Sequence, residues 1–335
     1  MIPTVNAREL LARTLESLDA QTLRPEIIVV DNASSDGTGD VVQERFSEVQ
    51  LIRNERNLGF GQAINQVALD LAGDVLVLVN NDVVCCREFI ERICAPFADP
   101  QVGMVSGVLI QGRSRDRIDS AGLELDETLR SWDYLWNQPV GVLEYALRDP
   151  IGPCGGAAAY RLPVYQELGG FDGTLFAYWE DVDLAIRFQR RGLRCVLAKG
   201  ARAEHHHGAT LGPASRTHRR LEAFGRGYLL AKYDVQREPL RRLKTVITDC
   251  PVLLVHLFVR RDAGPIRERH RGLREGKRRG RAEAFPRELV TVSFGETLRR
   301  LFGFLRLRVG RRLPPHFYER GPTLDPSDVI ARKTD

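Results

Sequence analysis

Apolar residues recur with two different periods over the first two hundred positions. The runs Ile27–Val30 and Val75–Val79 are almost entirely apolar, which predicts strands buried on both faces. The segment Gln62–Leu71 has its apolar residues at helical spacing and is predicted as an amphipathic helix. The same patterns predict further strands at 50–52, 102–110 and 195–197 and further helices at 9–18, 37–46 and 87–97. This alternation indicates an α/β fold with a mostly parallel, Rossmann-like sheet flanked by helices.

Composition shifts set the expected domain boundaries. Periodicity weakens between 112 and 153, which fits an insertion or flap, and the chain becomes markedly basic after 215. We expect a first domain at 1–215 with halves 1–110 and 111–215, a basic helical region at 216–320 and a disordered tail at 321–335. The strand before the first helix is reduced to residues 1–4, so it is either short or preceded by sequence upstream.

The overall composition is that of a soluble globular protein. Of 335 residues, 43% are hydrophobic and 28% charged, which excludes collagen-like, disordered and disulfide-scaffold classes. The six cysteines form no C-x-x-C pair, so reduced thiols are expected rather than a zinc site. Neither a membrane-spanning stretch nor a signal peptide is recognisable, which favours the cytoplasm.

Polar residues follow three of the predicted strands. They are Asp31–Asp36, Arg53 with Asn54, and Asn80–Asp82. Ligands of open α/β sheets bind at the carboxyl ends of strands, so these residues are candidates for holding a metal or a nucleotide. The alternative is turn and cap chemistry, which favours the same residue types. No P-loop is present, and Gly59-Phe60-Gly61 lacks the last glycine of a dinucleotide fingerprint.

Carboxylates are densest in YWEDVDL at 178–184, just before a predicted helix. Acids at a helix N-terminus interact favourably with the macrodipole, which accounts for one or two of the three. A carboxylate with an acidic neighbour and partial burial has a raised pKa, the condition for a general base. Farther along, Glu204 is followed by three histidines, of which one or two could join Asp82 in binding a metal.

Together these motifs resemble glycosyltransferase family 2 with the GT-A fold, and within it the rhamnosyltransferase-like bacterial members. The matching segments follow the family order over residues 1–210. They are IPTVN at 2–6, EIIVVDNASSDGT at 26–38, NLGFG at 57–61, VNND at 79–82, GPCGGA at 152–157, GGFD at 169–172 and YWEDVDL at 178–184.

The resemblance implies a role for each matching residue. Asp181 would be the general base that takes the acceptor hydroxyl proton. Asp82 would bind Mg²⁺ or Mn²⁺ together with His205, and His206 is the second candidate for that histidine. The acceptor would be bound by Trp179, Glu180, Gly155 and Gly156. The nucleotide, in the half at 1–110, would be bound by Thr4, Asn6, Asp31, Asn32, Ser34, Asn57 and Gly59.

The implied reaction is a single displacement that inverts the anomeric carbon. A sugar, with rhamnose as one candidate, would pass from a dTDP-, UDP- or GDP-linked donor to a glycan or lipid-linked glycan in cell-surface polysaccharide synthesis. One departure from the family pattern is Asn80, which stands where the metal-binding motif has its first acid. The alternatives are a sugar-nucleotide nucleotidyltransferase, whose pyrophosphate loop residues 3–8 do not supply, and a catalytically degenerate nucleotide- or carbohydrate-binding module.

The basic region after residue 215 carries no specific motif. Residues 260–281 contain ten Lys and Arg against three acids, and Leu298–Val309 interleaves apolar and basic residues. A solvated helix face is one interpretation. The other is attachment to the anionic inner face of the plasma membrane, which would make the protein peripheral there. Nucleic acid is not expected as a partner, because stacking aromatics and a nucleic-acid-binding fold are missing.

Overall fold

The computed structural model describes residues 1–112, 114–146, 148–206, 215–279, 283–284 and 287–309, with the backbone alone over 304–309. The strands are β1 Ile2–Thr4, β2 Ile28–Asp31, β3 Gln50–Arg53, β4 Val75–Val79, β5 Val83–Cys85, β6 Val102–Gln111, β7 Ile118–Ser120, β8 Leu123–Leu125, β9 Ser131–Asp133, β10 Ala157–Arg161 and β11 Arg194–His205. The helices are α1 Arg8–Asp19, α2 Thr38–Arg45, α3 Phe60–Ala68, α4 Phe89–Cys94, α5 Leu162–Glu167, α6 Glu180–Arg190, α7 Arg216–Lys232, α8 Pro239–Leu254, α9 Gly264–Arg278 and α10 Phe294–Val309. The predicted tail at 321–335 lies outside the described residues.

Two sheets carry the predicted nucleotide-binding loops. Strands β1, β2 and β3 are parallel, and their register sets Thr4 beside Asp31. The second sheet runs β4-β10-β6-β11-β5 with β7 paired to β6, and it is mixed because β10 is antiparallel to both of its neighbours. The terminal amino group of Met1 donates to the Val77 carbonyl at 2.7 Å, so the short first strand is fastened to the second sheet.

Helices cover both faces of the sheets. Leu11 and Leu15 of α1 and Phe89 of α4 are fully buried in one apolar cluster. On the other face Tyr160 of β10 and Phe188 of α6 are fully buried in a second cluster. Because interiors packed in this way are nearly incompressible, the strand ends are held on a rigid base.

The chain forms two compact units. The first comprises residues 1–123, 133–135 and the described part of 139–213, and the second comprises 124–132, 136–138 and the described residues from 215 onward. The second unit thus includes residues 124–132 and 136–138, which lie within the first domain predicted at 1–215. The physical reason is hydrogen bonding: Thr297 Oγ1 donates to Asp126 Oδ2 at 2.8 Å, and Arg300 pairs with Glu124 at 2.7 Å.

Glycines allow close helix packing within the second unit. A Cβ on Gly272 of α9 would lie 2.1 Å from the Phe224 carbonyl oxygen of α7, and one on Gly276 would lie 2.6 Å from the Tyr228 carbonyl oxygen. Any larger side chain would push α7 and α9 apart. No helix within the described ranges is long and apolar enough to cross a bilayer.

Candidate active site

The end of β2 is held by side-chain hydrogen bonds. Asp31 and Asn32 are each 4% exposed. Asp31 Oδ1 accepts a hydrogen bond from the Ser34 amide at 2.9 Å, and Asn32 Oδ1 accepts one from Asn54 Nδ2 at 2.9 Å. Asn32 also donates to the Gly59 carbonyl at 3.2 Å. The loops that follow β2 and β3 are thereby hydrogen-bonded to each other.

Asn6 connects the β1 loop to the β2 loop. Its backbone amide donates to Ser34 Oγ at 2.9 Å, and its side-chain Oδ1 accepts a hydrogen bond from the Ser35 backbone amide at 2.8 Å. Asn6 has a φ of 48°, a left-handed conformation that asparagine tolerates better than most residues. The candidate nucleotide residues from β1 and β2 therefore form one prearranged group.

Gly59 is required by close packing where α3 begins. Its φ is 83°, and a Cβ there would lie 2.3 Å from the Phe176 carbonyl oxygen. Asn57 Oδ1 accepts a hydrogen bond from the Gly59 amide at 2.8 Å. The NLGFG segment thus packs directly against the loop that contains Phe176. This loop lies only a few residues before the YWEDVDL cluster.

The loop after β4 meets the end of β11. Asn81 donates Nδ2 to Thr4 Oγ1 at 2.9 Å, and Asp82 is 8% exposed. His205 Nε2 lies 3.3 Å from Asp82 Oδ1. His206 instead donates its backbone amide to the Asp82 carbonyl, and its ring lies 3.8 Å from Glu204. The geometry brings His205, rather than His206, to the Asp82 side chain.

Asp119 is the partner of His205 on the opposite side of the ring. Its Oδ2 lies 2.7 Å from His205 Nδ1. Burial lowers the pKa of His205, but hydrogen bonds and charges from Asp119 and Asp82 outweigh it and raise the pKa to about 10. A ring with this pKa is protonated at neutral pH, so a cation bound at Nε2 would displace that proton. A carboxylate behind the far nitrogen is the usual support of a metal-binding histidine, because it fixes the ring and raises its basicity.

These side chains fit a divalent cation that is shared with a bound diphosphate. No group of three or more His, Cys, Asp or Glu that could hold a metal alone is found in the part of the chain that the structure describes. Asp82 and His205 supply one oxygen and one nitrogen. Mg²⁺ is commonly held by one or two carboxylates with substrate phosphates and water completing its shell. The donor set is therefore compatible with a divalent cation whose remaining ligands are substrate phosphate and water.

The candidate base, Asp181, is connected to the loop of Asp82 through the GPCGGA segment. Asp181 Oδ2 faces the Gly155 amide at 3.4 Å, and the Gly156 carbonyl accepts a hydrogen bond from the Asn80 amide at 3.2 Å. Neither glycine has room for a side chain at normal contact distance: a Cβ would lie 3.3 Å from Phe60 or 3.1 Å from Leu109, respectively. The GPCGGA segment therefore joins the start of α6 to the end of β4.

The two acids that open α6 differ in their surroundings. Glu180 is 6% exposed, and its Oε2 has no hydrogen-bond partner among the described residues. Burial, followed by the charge of Asp181, raises the pKa of Glu180 well above its usual range. Burial also raises the pKa of Asp181, but hydrogen bonds from the Val182 and Gly155 amides oppose the shift. Asp181 is therefore the acid that ionises first.

The backbone before α6 is strained. Tyr178 and Trp179 have φ values of 68° and 74°, which side chains rarely adopt, and Trp179 is 8% exposed. Such conformations cost about 1–3 kcal/mol each and persist only where the surroundings impose them. This turn fixes the direction in which the side chains of Trp179 and Glu180 leave the backbone.

Sequence reasoning missed two carboxylates, Asp119 on β7 and Asp133 on β9. Desolvation and the charge of Asp119 raise the pKa of Asp133, and a hydrogen bond with Ser120 opposes the shift. Both residues lie within the stretch interpreted as an insertion or flap. A signal did exist, because Asp133 stands between Trp132 and Tyr134 in an aromatic patch.

Comparison with curated proteins finds rhamnosyltransferases among the relatives. The chain is 28% identical over 299 residues to an N-acetylglucosaminyl-diphospho-decaprenol L-rhamnosyltransferase of Mycobacterium tuberculosis, covering 80% of this chain and 94% of that protein. It is 23% identical over 214 residues to the O-antigen chain rhamnosyltransferase RfbN of Salmonella typhimurium, covering 63% of this chain and 66% of that protein.

Solved structures support the fold. The mannosyltransferase PcManGT of Pyrobaculum calidifontis, in complex with GDP-Man and Mn²⁺, superposes with a TM-score of 0.51 at 20% identity over 84% of this chain and 74% of that chain. GalNAc-T7 with UDP, GalNAc and Mn²⁺ gives 0.54 at 15% identity over 85% of this chain and 55% of that chain. The predicted GT-A fold is confirmed.

A family model described as Glycosyl transferase family 2 matches residues 1–168, half of the chain. The matched region contains β1 to β4, the Asn80–Asp82 loop and the GPCGGA segment. The prediction that the protein is a glycosyltransferase is confirmed by this match and by the relatives. The chain belongs to glycosyltransferase family 2.

Proposed function

We propose that this glycosyltransferase moves L-rhamnose from a nucleoside-diphosphate donor to a hydroxyl of a lipid-linked glycan, with inversion at the anomeric carbon. The observation that carries the proposal is the link through Gly155 and Gly156 between Asp181 and the Asn80–Asp82 loop. This link connects the candidate base to the loop that we expect to hold the diphosphate. Glycosyl transfer needs a base for the acceptor hydroxyl in the same site as the leaving diphosphate.

Asp181 acts as general base. A sugar hydroxyl is a poor nucleophile at neutral pH, so its proton must be accepted as the new bond forms. The acceptor oxygen attacks the anomeric carbon, the proton passes to Asp181, and the bond from that carbon to the diphosphate oxygen breaks. One displacement without an enzyme nucleophile inverts the configuration.

Asp82 and His205 would hold Mg²⁺ or Mn²⁺ against the donor diphosphate, and Asp119 would keep the imidazole oriented. A bound divalent cation would supply charge neutralisation to the leaving nucleoside diphosphate. The surrounding chain contributes little positive charge of its own, since residues 1–215 contain 20 Lys and Arg against 30 Asp and Glu.

The choice of sugar and acceptor rests on the relatives. The M. tuberculosis protein is named for transfer of L-rhamnose to a sugar diphosphate on a polyprenol, and it matches this chain along 94% of its own length. We therefore place L-rhamnose ahead of other sugars and a polyprenyl-diphosphate sugar ahead of a soluble glycan, and we take dTDP, ahead of UDP or GDP, as the first donor nucleotide to test. The product would serve in assembly of a cell-surface polysaccharide.

Thermal unfolding in the presence of nucleotide sugars tests the donor and metal assignments together. Ligand at about 100 times its Kd stabilises the fold by roughly 2.7 kcal/mol. We expect dTDP-rhamnose with Mn²⁺ to raise the unfolding temperature more than UDP- or GDP-sugars do, and Asp82→Ala to remove the metal-dependent part. His206→Ala serves as the matched control and should keep it. An equal Mn²⁺ response in Asp82→Ala would contradict the metal assignment, and the absence of any donor response in folded protein would contradict the proposed function.

A further inference from the structure

Helix α8 is oriented opposite to a normal surface helix. Its buried side chains are polar or charged: Arg241, Thr245, Thr248 and Asp249, followed by His256 in the turn beyond. Its large apolar side chains point to solvent instead. A surface helix normally buries its apolar face and exposes its polar one.

Ion pairs fix this orientation. Asp249 is 5% exposed and pairs with Arg130 at 2.5 Å, with Arg226 at 3.4 Å and with Arg269. All four residues belong to the second unit. Rotating α8 to bury its apolar face would pull Asp249 out of this cluster and leave buried arginines without their shared carboxylate, which is strongly unfavourable.

The exposed apolar residues form one continuous stripe. We define the apolar stripe as Leu240, Leu243, Ile247, Leu254 and Phe258, which are between 42% and 71% exposed. Exposed Cys250 completes spacings of three or four residues from 240 to 258, so the side chains share one helix face. At about 1.5 Å per residue the stripe is roughly 27 Å long. Contiguous exposed apolar surface of this extent marks an interaction site.

The part of the chain that contains the apolar stripe is rich in positive charge. Residues 216–279 contain 18 Lys and Arg against 7 Asp and Glu. Arg242 within α8 and Arg260 and Arg261 just beyond it are exposed. A second copy of this chain would oppose this excess of positive charge with its own, which disfavours self-association. An anionic, apolar partner satisfies both features.

We propose that the apolar stripe lies in the interface of an anionic lipid bilayer, with the neighbouring arginines at the level of the headgroups. The inference rests on the proposed lipid-linked acceptor, which a bilayer would present. It differs from the membrane attachment expected from residues 260–281 and 298–309, because the contact is α8 and its apolar residues supply the insertion.

Vesicle flotation of the full chain tests the inference. The stripe variant is Leu243→Glu with Phe258→Glu. The matched control is Leu23→Glu with Tyr145→Glu, which places the same charges at large apolar residues that are 49% and 60% exposed in the first unit. With phosphatidylcholine vesicles containing about one third phosphatidylglycerol, we expect wild type and control to float and the stripe variant to lose at least about tenfold in bound protein. Vesicles of phosphatidylcholine alone should bind all three less.

Each other outcome has a definite meaning. Absence of wild-type flotation, or equal flotation of the stripe variant, overturns the inference. Light scattering without lipid tests self-association. If the wild type is a dimer that does not float and the stripe variant is a monomer, the stripe binds a second copy of the chain and the inference is overturned as well. Donor-induced thermal shifts, measured on all three proteins, separate this result from failure of the proposed function, because donor binding does not require a bilayer. The same scans show whether the variants are folded.

Discussion

The two compact units distribute polar and apolar groups in opposite ways. In the first, apolar strands fill the interior and the unusual groups are carboxylates at strand and helix ends, as at Asp82 and Asp181. In the second, α8 buries charges around Asp249 and exposes leucines. The net charge also changes sign: residues 216–335 contain 29 Lys and Arg against 14 Asp and Glu, whereas residues 1–215 are net acidic.

The difference indicates what each unit binds. Buried carboxylates with raised pKa values are costly in a folded protein and cluster where chemistry is done. Exposed apolar side chains are costly in water and are retained where another surface covers them. These features agree with the small-molecule site proposed for the first unit and with the apolar and basic contact proposed for the second. Substitutions at each unusual group test this division.

The largest effect is expected for Asp181→Asn. Asparagine preserves the size of the side chain and removes its ability to accept a proton, so transfer should fall by about 10²–10⁴-fold. Donor affinity should stay within a few-fold, because the nucleotide contacts lie on other loops. Steady-state kinetics with a polyprenyl-diphosphate acceptor, together with donor titration, measures both. Turnover equal to wild type would remove Asp181 from the role of base.

Asp249→Ala tests the inverted interior of the second unit. Loss of this carboxylate leaves Arg226, Arg130 and Arg269 clustered without a counter-charge, and breaking a buried pair of this type costs about 3–5 kcal/mol. Denaturant unfolding measures the loss. Asp40→Ala, whose partner Arg53 is exposed, is the control and should change stability by less than about 1 kcal/mol.

The same carboxylate predicts a loss of stability in acid. Burial alone would raise the pKa of Asp249, but the charges of Arg226, Arg269 and Arg130 hold it well below its usual range. A depressed folded-state pKa gives stabilisation that is complete above the ordinary aspartate pKa of about 3.9 and is lost as the pH falls below it. Wild-type stability should therefore decline below about pH 4 more steeply than that of Asp249→Ala.

Local periodicity predicted β2, β3, β4, β6 and part of β11 together with the helices α1 to α4. It did not predict β10, which lies between β4 and β6 and makes the second sheet mixed rather than mostly parallel. The strand predicted at Val75–Val79 has the predicted bounds, and the helix predicted at 9–18 begins and ends within one residue of the prediction. The helix predicted at 87–97 is shorter, since α4 ends at Cys94 and continues as a 3₁₀ turn that contains Pro96. Proline inside a helix removes a backbone donor and crowds the preceding turn.

Long-range pairing determined what could not be predicted. Asp119 reaches His205 only because β7 pairs with β6 while β11 lies on the opposite side of β6, an arrangement spanning 86 residues. The orientation of α8 was equally hidden, since a helical pattern shows that a face is apolar and not which way it points. Ion pairs of Asp249 to Arg130, 119 residues away in sequence, and to Arg269, 20 residues away, decide that direction.

Asp119→Asn is expected to have an intermediate effect. Outer partners of metal-binding histidines typically account for 10–100-fold in metal affinity or activity. Asparagine can still hold the His205 ring by a hydrogen bond, but it removes the negative charge that strengthens the imidazole as a metal ligand. The Mn²⁺ concentration for half-maximal activity should therefore rise by about tenfold or more. Substitution of nearby Asp116, an exposed acid in the same segment, is the control. An unchanged Mn²⁺ requirement would show that Asp119 acts only in folding.

The smallest effect should come from Glu180→Gln. Burial holds the pKa of Glu180 well above its usual range, so this side chain is already neutral when Asp181 is ionised, and glutamine reproduces its shape without the acidic proton. The base must be ionised to accept a proton, so kcat/KM should rise with pH as Asp181 ionises and then level off. Because the pKa of Asp181 is raised, this acid limb should lie above the ordinary aspartate pKa of about 3.9. In Glu180→Gln the limb should keep its position and kcat/KM should fall by less than about tenfold. A limb displaced to lower pH, or a loss as large as that of Asp181→Asn, would mean that Glu180 ionises in the working enzyme and that the two acids share the proton.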